Sequence, residues 1–234
     1  MDVIECTYDV DDVHLTGFIA DGAIGGSVPG VLLIHEAPGV TEHVKERARM
    51  LAKSGYVAFA LDMYGKADLP IEEAQEHSRR LMTDANLMRR RARAALDVLR
   101  SHVHCDATRV AVVGFCLGGI VALELARDRA PISCAIGFHP GFMRPLGSAT
   151  GPITAKVLMM IGDDDPIVSA EDRASFVQEM KEARADWQLH VFGGVGHSYT
   201  NREIDTRGMP GFAYDERADL RAWTLMLALF EEVF

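Results

Sequence analysis

Val110-Ala111-Val112-Val113-Gly114-Phe115-Cys116-Leu117-Gly118-Gly119 is the stretch on which the reading turns. Four consecutive apolar residues, three of them valine, run directly into a Gly-x-Cys-x-Gly turn, and the residues beyond carry a helical apolar period. A strand that is solidly apolar rather than alternating is one covered by helices on both faces. A sharp strand-to-helix turn with glycines two before and two after its central residue has the form of a nucleophile elbow. The turn strains the backbone at Cys116, and the glycines remove the side chains that would collide there. The thiol is lifted into open space at a helix N-terminus, where free N–H groups and the helix dipole favour a thiolate and can hold an oxyanion.

Working outward, short β-branched runs alternate with longer amphipathic stretches, the grammar of an α/β domain. Strands are expected at residues 2–10, 13–19, 30–35, 56–61, 109–114, 134–138, 156–161 and 188–192, the first two antiparallel and the rest parallel. Helices are expected at 41–54, 71–100, 117–127, 170–184 and 214–234, on both faces of a mostly parallel sheet. Two Gly/Pro-rich stretches, 140–154 and 198–213, resist assignment and are long enough to frame a site. At 234 residues with 48% apolar and 25% charged residues, one domain spanning 1–234 is the expectation.

An elbow requires an acid after a later strand and then a histidine, in that chain order. Gly162-Asp163-Asp164-Asp165-Pro166 follows the strand ending at 161, and Gly193-Gly194-Val195-Gly196-His197 follows the strand ending at 192. His197 fits the base that takes the thiol proton, and one of the three aspartates fits the acid that fixes its tautomer. Glu36, in His35-Glu36-Ala37-Pro38-Gly39, lies on the loop that supplies a second oxyanion N–H in such a site and would point into it.

Other features read more plainly. A formal charge of −10 argues against a nucleic-acid partner, and Arg89-Arg90-Arg91 with Arg93 reads as a solvated helix face. The longest uncharged apolar run, 110–123, is too short to span a bilayer and no leader is apparent, so a cytoplasmic protein without a membrane partner is expected. Cys6, Cys105, Cys116 and Cys134 show no CxxC pair, and His102-x-His104 lacks the helical spacing of a zinc motif, so no metal or other cofactor is expected.

The chain resembles the dienelactone hydrolases, cysteine-dependent members of the α/β-hydrolase fold. The resemblance rests on Gly-Phe-Cys-Leu-Gly-Gly, His-Glu-Ala-Pro-Gly-Val, Gly-Tyr-Val-Ala-Phe-Ala-Leu-Asp-Met-Tyr-Gly, Gly-Asp-Asp-Asp-Pro-Ile-Val and Gly-Val-Gly-His-Ser-Tyr. It implies Cys116 as nucleophile, His197 as base and Asp165 as acid, with the N–H groups of Leu117 and Ala37 as the oxyanion hole. It also implies a resting thiol held against Glu36, and hydrolysis of a small ester or lactone through an acyl-thioester by a monomer or small homo-oligomer.

One departure concerns the substrate. The family's carboxylate-binding arginine four residues after the histidine is replaced by Asn201, with Arg202 one place later, and Arg79 and Arg80 share the helical region of the other arginine. Bidentate carboxylate recognition tolerates little misplacement. Arg79, Arg80 and Arg202, with Tyr64 and Tyr199, are the expected substrate contacts. Alternative readings are a thioesterase or small-peptide hydrolase on the same scaffold, or a silent small-molecule-binding protein.

Overall fold

The computed structural model describes residues 2–234. β1 (Ile4–Val10) and β2 (Val13–Asp21) form an antiparallel hairpin, and β2 pairs antiparallel with β4 (Val57–Leu61). From β4 onward all pairs are parallel, through β3 (Val28–Ile34), β5 (Cys105–Phe115), β6 (Cys134–Phe138), β7 (Lys156–Gly162) and β8 (Trp187–Phe192). The order is β1-β2-β4-β3-β5-β6-β7-β8, the expected α/β-hydrolase arrangement.

The apolar strand runs are explained by the two faces they serve. Leu32, Ile34, Val110 and Val112 pack into one core with α3 (Ala85–Arg100), α4 (Leu117–Arg127) and α5 (Ala170–Glu182). Val31, Leu33, Ala111 and Val113 pack into the other with α1 (Glu42–Lys53) and α6 (Glu216–Val233). A strand buried on both sides has no position to spare for a polar residue. Each of these side chains, fully removed from water, contributes about 1.5–3 kcal/mol of transfer free energy for a residue of valine size or larger.

The single helix expected over 71–100 is two. α2 (Ile71–Met82) ends before Thr83, and Asp84 starts α3 by accepting the N–H groups of Asn86 and Leu87, each at 3.0 Å. The apolar period continues across the break, which hid it, while Asp84 carried the N-cap signal. Asp215 caps α6 in the same way, accepting Ala218 N–H at 2.9 Å. The stretch 198–213 contains a short 3-10 turn, Arg202–Arg207, and returns to His197, whose N–H donates to Gly211 O at 2.8 Å and whose carbonyl accepts Ala213 N–H at 3.1 Å. No helix of the described residues is long and apolar enough to cross a membrane.

Candidate active site

The chemistry-bearing residues sit at the carboxyl ends of the parallel strands, where α/β sheets place their ligands. Cys116 follows β5 with φ 52° and ψ −114°, a left-handed-side conformation that a side chain rarely adopts. Its N–H donates to Phe138 O at 3.0 Å and its carbonyl accepts Gly119 N–H at 3.0 Å, so strand β6 and helix α4 both hold the turn. The glycines are required by contact. A Cβ at position 114 would stand 1.9 Å from Gly118 O, and one at 118 would stand 2.3 Å from Ile34 O.

His197 and Asp165 form the pair expected beside it. Asp165 follows β7 and accepts His197 Nδ1–H at Oδ2, 2.7 Å away, with both side chains fully buried. Its other oxygen accepts Ile167 N–H at 2.8 Å, which fixes the carboxylate plane. Asp163 and Asp164 are exposed, Asp163 being paired with Arg173. Of the three aspartates the geometry therefore brings only Asp165 to the histidine. Burial alone pulls the His197 pKa down, but the Cys116 charge and the bond to Asp165 outweigh it and raise it to about 10. Nε2 of His197 has no hydrogen-bond partner within the described residues and lies on the Cys116 side of the ring. Nε2 thus faces the sulfur, near enough for the Cys116 charge to act on the ring.

The loop after β3 is fixed by His35. Its Nδ1–H donates to Glu36 O at 2.6 Å and its Nε2 accepts Met63 N–H at 3.2 Å, which assigns one tautomer. Burial holds this imidazole pKa down, keeping it neutral. The N–H groups of Leu117 and Ala37 donate to no group among the described residues, as oxyanion donors require.

Glu36 is placed differently from the expectation. Its Oε1 accepts Ser198 Oγ–H at 3.0 Å and its Oε2 accepts Asn201 Nδ2–H at 2.6 Å, with His43 Nδ1 at 3.6 Å. Neither oxygen is hydrogen-bonded to Cys116 in this structure. The amide at position 201 is the physical reason, because it draws the carboxylate toward the segment after His197.

The residues expected to contact substrate lie in different surroundings. Arg79 is exposed and paired with Glu76, and Arg80 is exposed. Arg202 is 73% exposed, pairs with Glu216 at 3.4 Å and lies over the Tyr214 ring. Tyr199 is fully buried and its hydroxyl donates to Met160 O at 3.1 Å, which makes it core rather than a wall of the site. Tyr64 is buried against His35 and His77, its hydroxyl 3.2 Å from Ser78 Oγ and close enough to Cys116 for the thiolate charge to raise its pKa alongside burial.

Several residues were not legible beforehand. His139 follows β6 and packs edge-on against His197, and its Nε2 lies 2.8 Å from Thr200 Oγ1, itself 3.3 Å from His43 Nε2. Burial holds both His139 and His43 below the usual imidazole pKa. Arg47 closes this buried polar layer by donating to Thr200 O at 2.6 Å and Asp219 Oδ2 at 2.8 Å. The position of His139 at a strand carboxyl end was the one signal that could have found it. A cavity of ≈ 400 Å³ lies beyond this layer, lined by His43, Asn201, Tyr214 and Leu220 and by neither Cys116 nor His197.

The model of the dienelactone hydrolase family matches residues 16–234. The chain belongs to the dienelactone hydrolase family. A curated relative from a Bradyrhizobium species, "Probable 2-oxo-3-(5-oxofuran-2-ylidene)propanoate lactonase", is 28% identical over 78% of this chain and 77% of its own. A solved dienelactone hydrolase-like promiscuous phosphotriesterase from metagenomic libraries is 36% identical, with TM-score 0.95 over 100% of this chain and 98% of that one. A solved dienelactone hydrolase from Anabaena variabilis, 19% identical with TM-score 0.67 over 96% of this chain and 97% of that one, shares the fold. The family makes this dienelactone hydrolase family member an ester or lactone hydrolase.

Proposed function

We propose that this family member hydrolyses a small ester or lactone through a Cys116 acyl-thioester, acting as a single domain in a reducing, cytoplasmic setting. The observation that carries the reading is the conjunction of a strained Cys116 turn with the buried His197–Asp165 pair at 2.7 Å. His197 Nε2 holds the proton given up by the thiol, a thiolate–imidazolium pair that the raised His197 pKa favours, and the thiolate attacks the carbonyl carbon while Leu117 and Ala37 N–H groups receive the developing oxyanion. The C–O bond then breaks, and His197 returns its proton to the departing alkoxide or enolate. Water deprotonated by His197 cleaves the thioester, releasing the acid and restoring the thiol. No metal or dissociable cofactor enters these steps.

The ion pairs that hold Arg79 and Arg202, and the use of Asn201 to hold Glu36, support a substrate without the carboxylate of a dienelactone. A neutral short-chain ester or lactone is the class that fits. Glu36 then serves to anchor the segment carrying His197 rather than to hold the resting thiol. The test compares an aryl acetate, a neutral lactone and a dienelactone with wild type and Cys116→Ala. The expected result is Cys116-dependent turnover of the first two, with the dienelactone far slower. A Cys116→Ala chain that keeps its activity overturns the mechanism, and a preference for the dienelactone overturns the substrate class. A phosphotriester belongs on the same panel, because the metagenomic neighbour is described as a promiscuous phosphotriesterase and a thiolate attacks phosphorus as well as carbon.

A further inference from the structure

At the end of the sheet opposite Cys116, Asp21 closes β2, and the turn His102-Val103-His104 leads from α3 into β5. Strand direction fixes this placement. Asp21 stands opposite Val57, the first residue of β4, and Cys105 begins β5, whereas the elbow follows the last residue of β5. Residues 83 positions apart in the chain meet here: His104 Nδ1 lies 2.6 Å from Asp21 Oδ2. His102 Nε2 points at the same oxygen from 4.0 Å, and the donor atoms of all three residues lie within 4.8 Å of one another. The carboxylate is held by its other oxygen, since Asp21 Oδ1 accepts Ala23 N–H at 3.0 Å. That leaves Oδ2 to both rings.

We infer that Asp21, His102 and His104 form a binding site for a divalent metal of the zinc, nickel and copper class, with water in the remaining position. Two imidazoles and one carboxylate are a borderline donor set, whereas magnesium and calcium call for oxygen alone. Bonds of about 2.0–2.1 Å in a tetrahedral site put ligand atoms about 3.3–3.4 Å apart. The separations from Asp21 Oδ2, 2.6 and 4.0 Å, straddle that value and all three donor atoms lie within 4.8 Å of one another, so small turns of the two rings close the set on an ion. Metal on His104 Nδ1 shifts that ring's proton to its other nitrogen. Metal on His102 Nε2 shifts its proton to Nδ1 and gives up only the long 3.4 Å bond accepted from His104 N–H. Asp21, His102 and His104 side chains are 28%, 22% and 43% exposed, open enough for a hydrated ion to enter and keep one water. The ion would tie the loop 22–27 to the α3–β5 turn, well away from the thiol chemistry.

Titration calorimetry with Zn²⁺ and Ni²⁺ tests this, in a Cys116→Ser chain so that the elbow thiol does not compete for metal. One equivalent is expected to bind, and His102→Gln, His104→Gln and Asp21→Asn should each weaken it about tenfold or more. Saturating Zn²⁺ should raise the melting temperature of the parent but not of the His102→Gln/His104→Gln double variant, while Mg²⁺ should not raise it. Melting in EDTA checks that each variant is folded; if Asp21→Asn is not, the two histidine variants decide. Absence of binding at millimolar metal, binding that survives the histidine substitutions, or an equal response to Mg²⁺ overturns the site.

Discussion

Replacing Asp165 with asparagine tests whether the carboxylate sets the tautomer of His197 or merely fills space. The side chain is fully buried, and its two oxygens have separate tasks: one accepts Ile167 N–H at 2.8 Å and the other accepts His197 Nδ1–H at 2.7 Å. An amide has one oxygen for these two donors. If the oxygen stays with Ile167, the amide N–H₂ faces Nδ1, which must then accept, and the ring proton moves to Nε2, where it blocks transfer from the thiol. The productive arrangement requires the amide to flip, which sets its N–H₂ against the Ile167 N–H and leaves two buried donors unpaired. At about 1–2 kcal/mol for each of the two unmade bonds, a flip cost of about 2–4 kcal/mol leaves the productive tautomer at roughly 1 in 30 to 1 in 1,000 molecules. Loss of charge assistance to the imidazolium removes about a further tenfold. The expected drop in kcat/KM on an aryl ester is therefore about 300- to 10,000-fold. Far-UV circular dichroism should show native secondary structure, and Asp163→Asn, at an exposed position, should stay within about threefold of wild type. A folded Asp165→Asn enzyme within tenfold of wild type would refute the tautomer argument.

Other outcomes follow from contacts already described. Gly114→Ala forces a methyl to 1.9 Å from Gly118 O, and backbone cannot yield as a side chain does; a loss of about 3 kcal/mol or more in urea unfolding is expected, and a loss below about 1 kcal/mol would contradict the geometry. Arg47→Met strands the buried Asp219 carboxylate and should cost about 3–5 kcal/mol, much of which Arg47→Met/Asp219→Leu should restore; equal losses for single and double variants would show the ion pair to be unimportant. His197 has a folded pKa raised to about 10 from 6.5, so its contribution to stability is complete below 6.5 and is lost as pH rises through about 10. Wild type should therefore lose more melting temperature between pH 7 and 10 than His197→Gln, and parallel curves would count against the raised pKa.

The elements that sequence periodicity located correctly are those whose neighbours leave them no freedom. The runs at 31–34 and 110–113 are apolar because both faces are covered, and the elbow glycines are forced by backbone contacts. The break between α2 and α3 was missed because burial kept the apolar period intact on both sides of Asp84. Glu36 was found by its loop, but its orientation depends on Ser198 and Asn201, more than 160 residues away, and no local pattern encodes a partner at that distance. The same holds for Arg202, whose neighbour Glu216 and the Tyr214 ring draw it outward. The buried layer of His43, His139 and Thr200 likewise exists only once α1, β6 and the segment after His197 have met.

The spread of the site over strand ends has a kinetic consequence. Glu36, Cys116, Asp165 and His197 follow β3, β5, β7 and β8, and the contacts that join them close long stretches of chain. Non-local parallel pairing is the slow part of folding. Esterase activity recovered during refolding should therefore lag behind far-UV ellipticity and rise only with the last strand to dock, which makes turnover a clock for completion of the sheet.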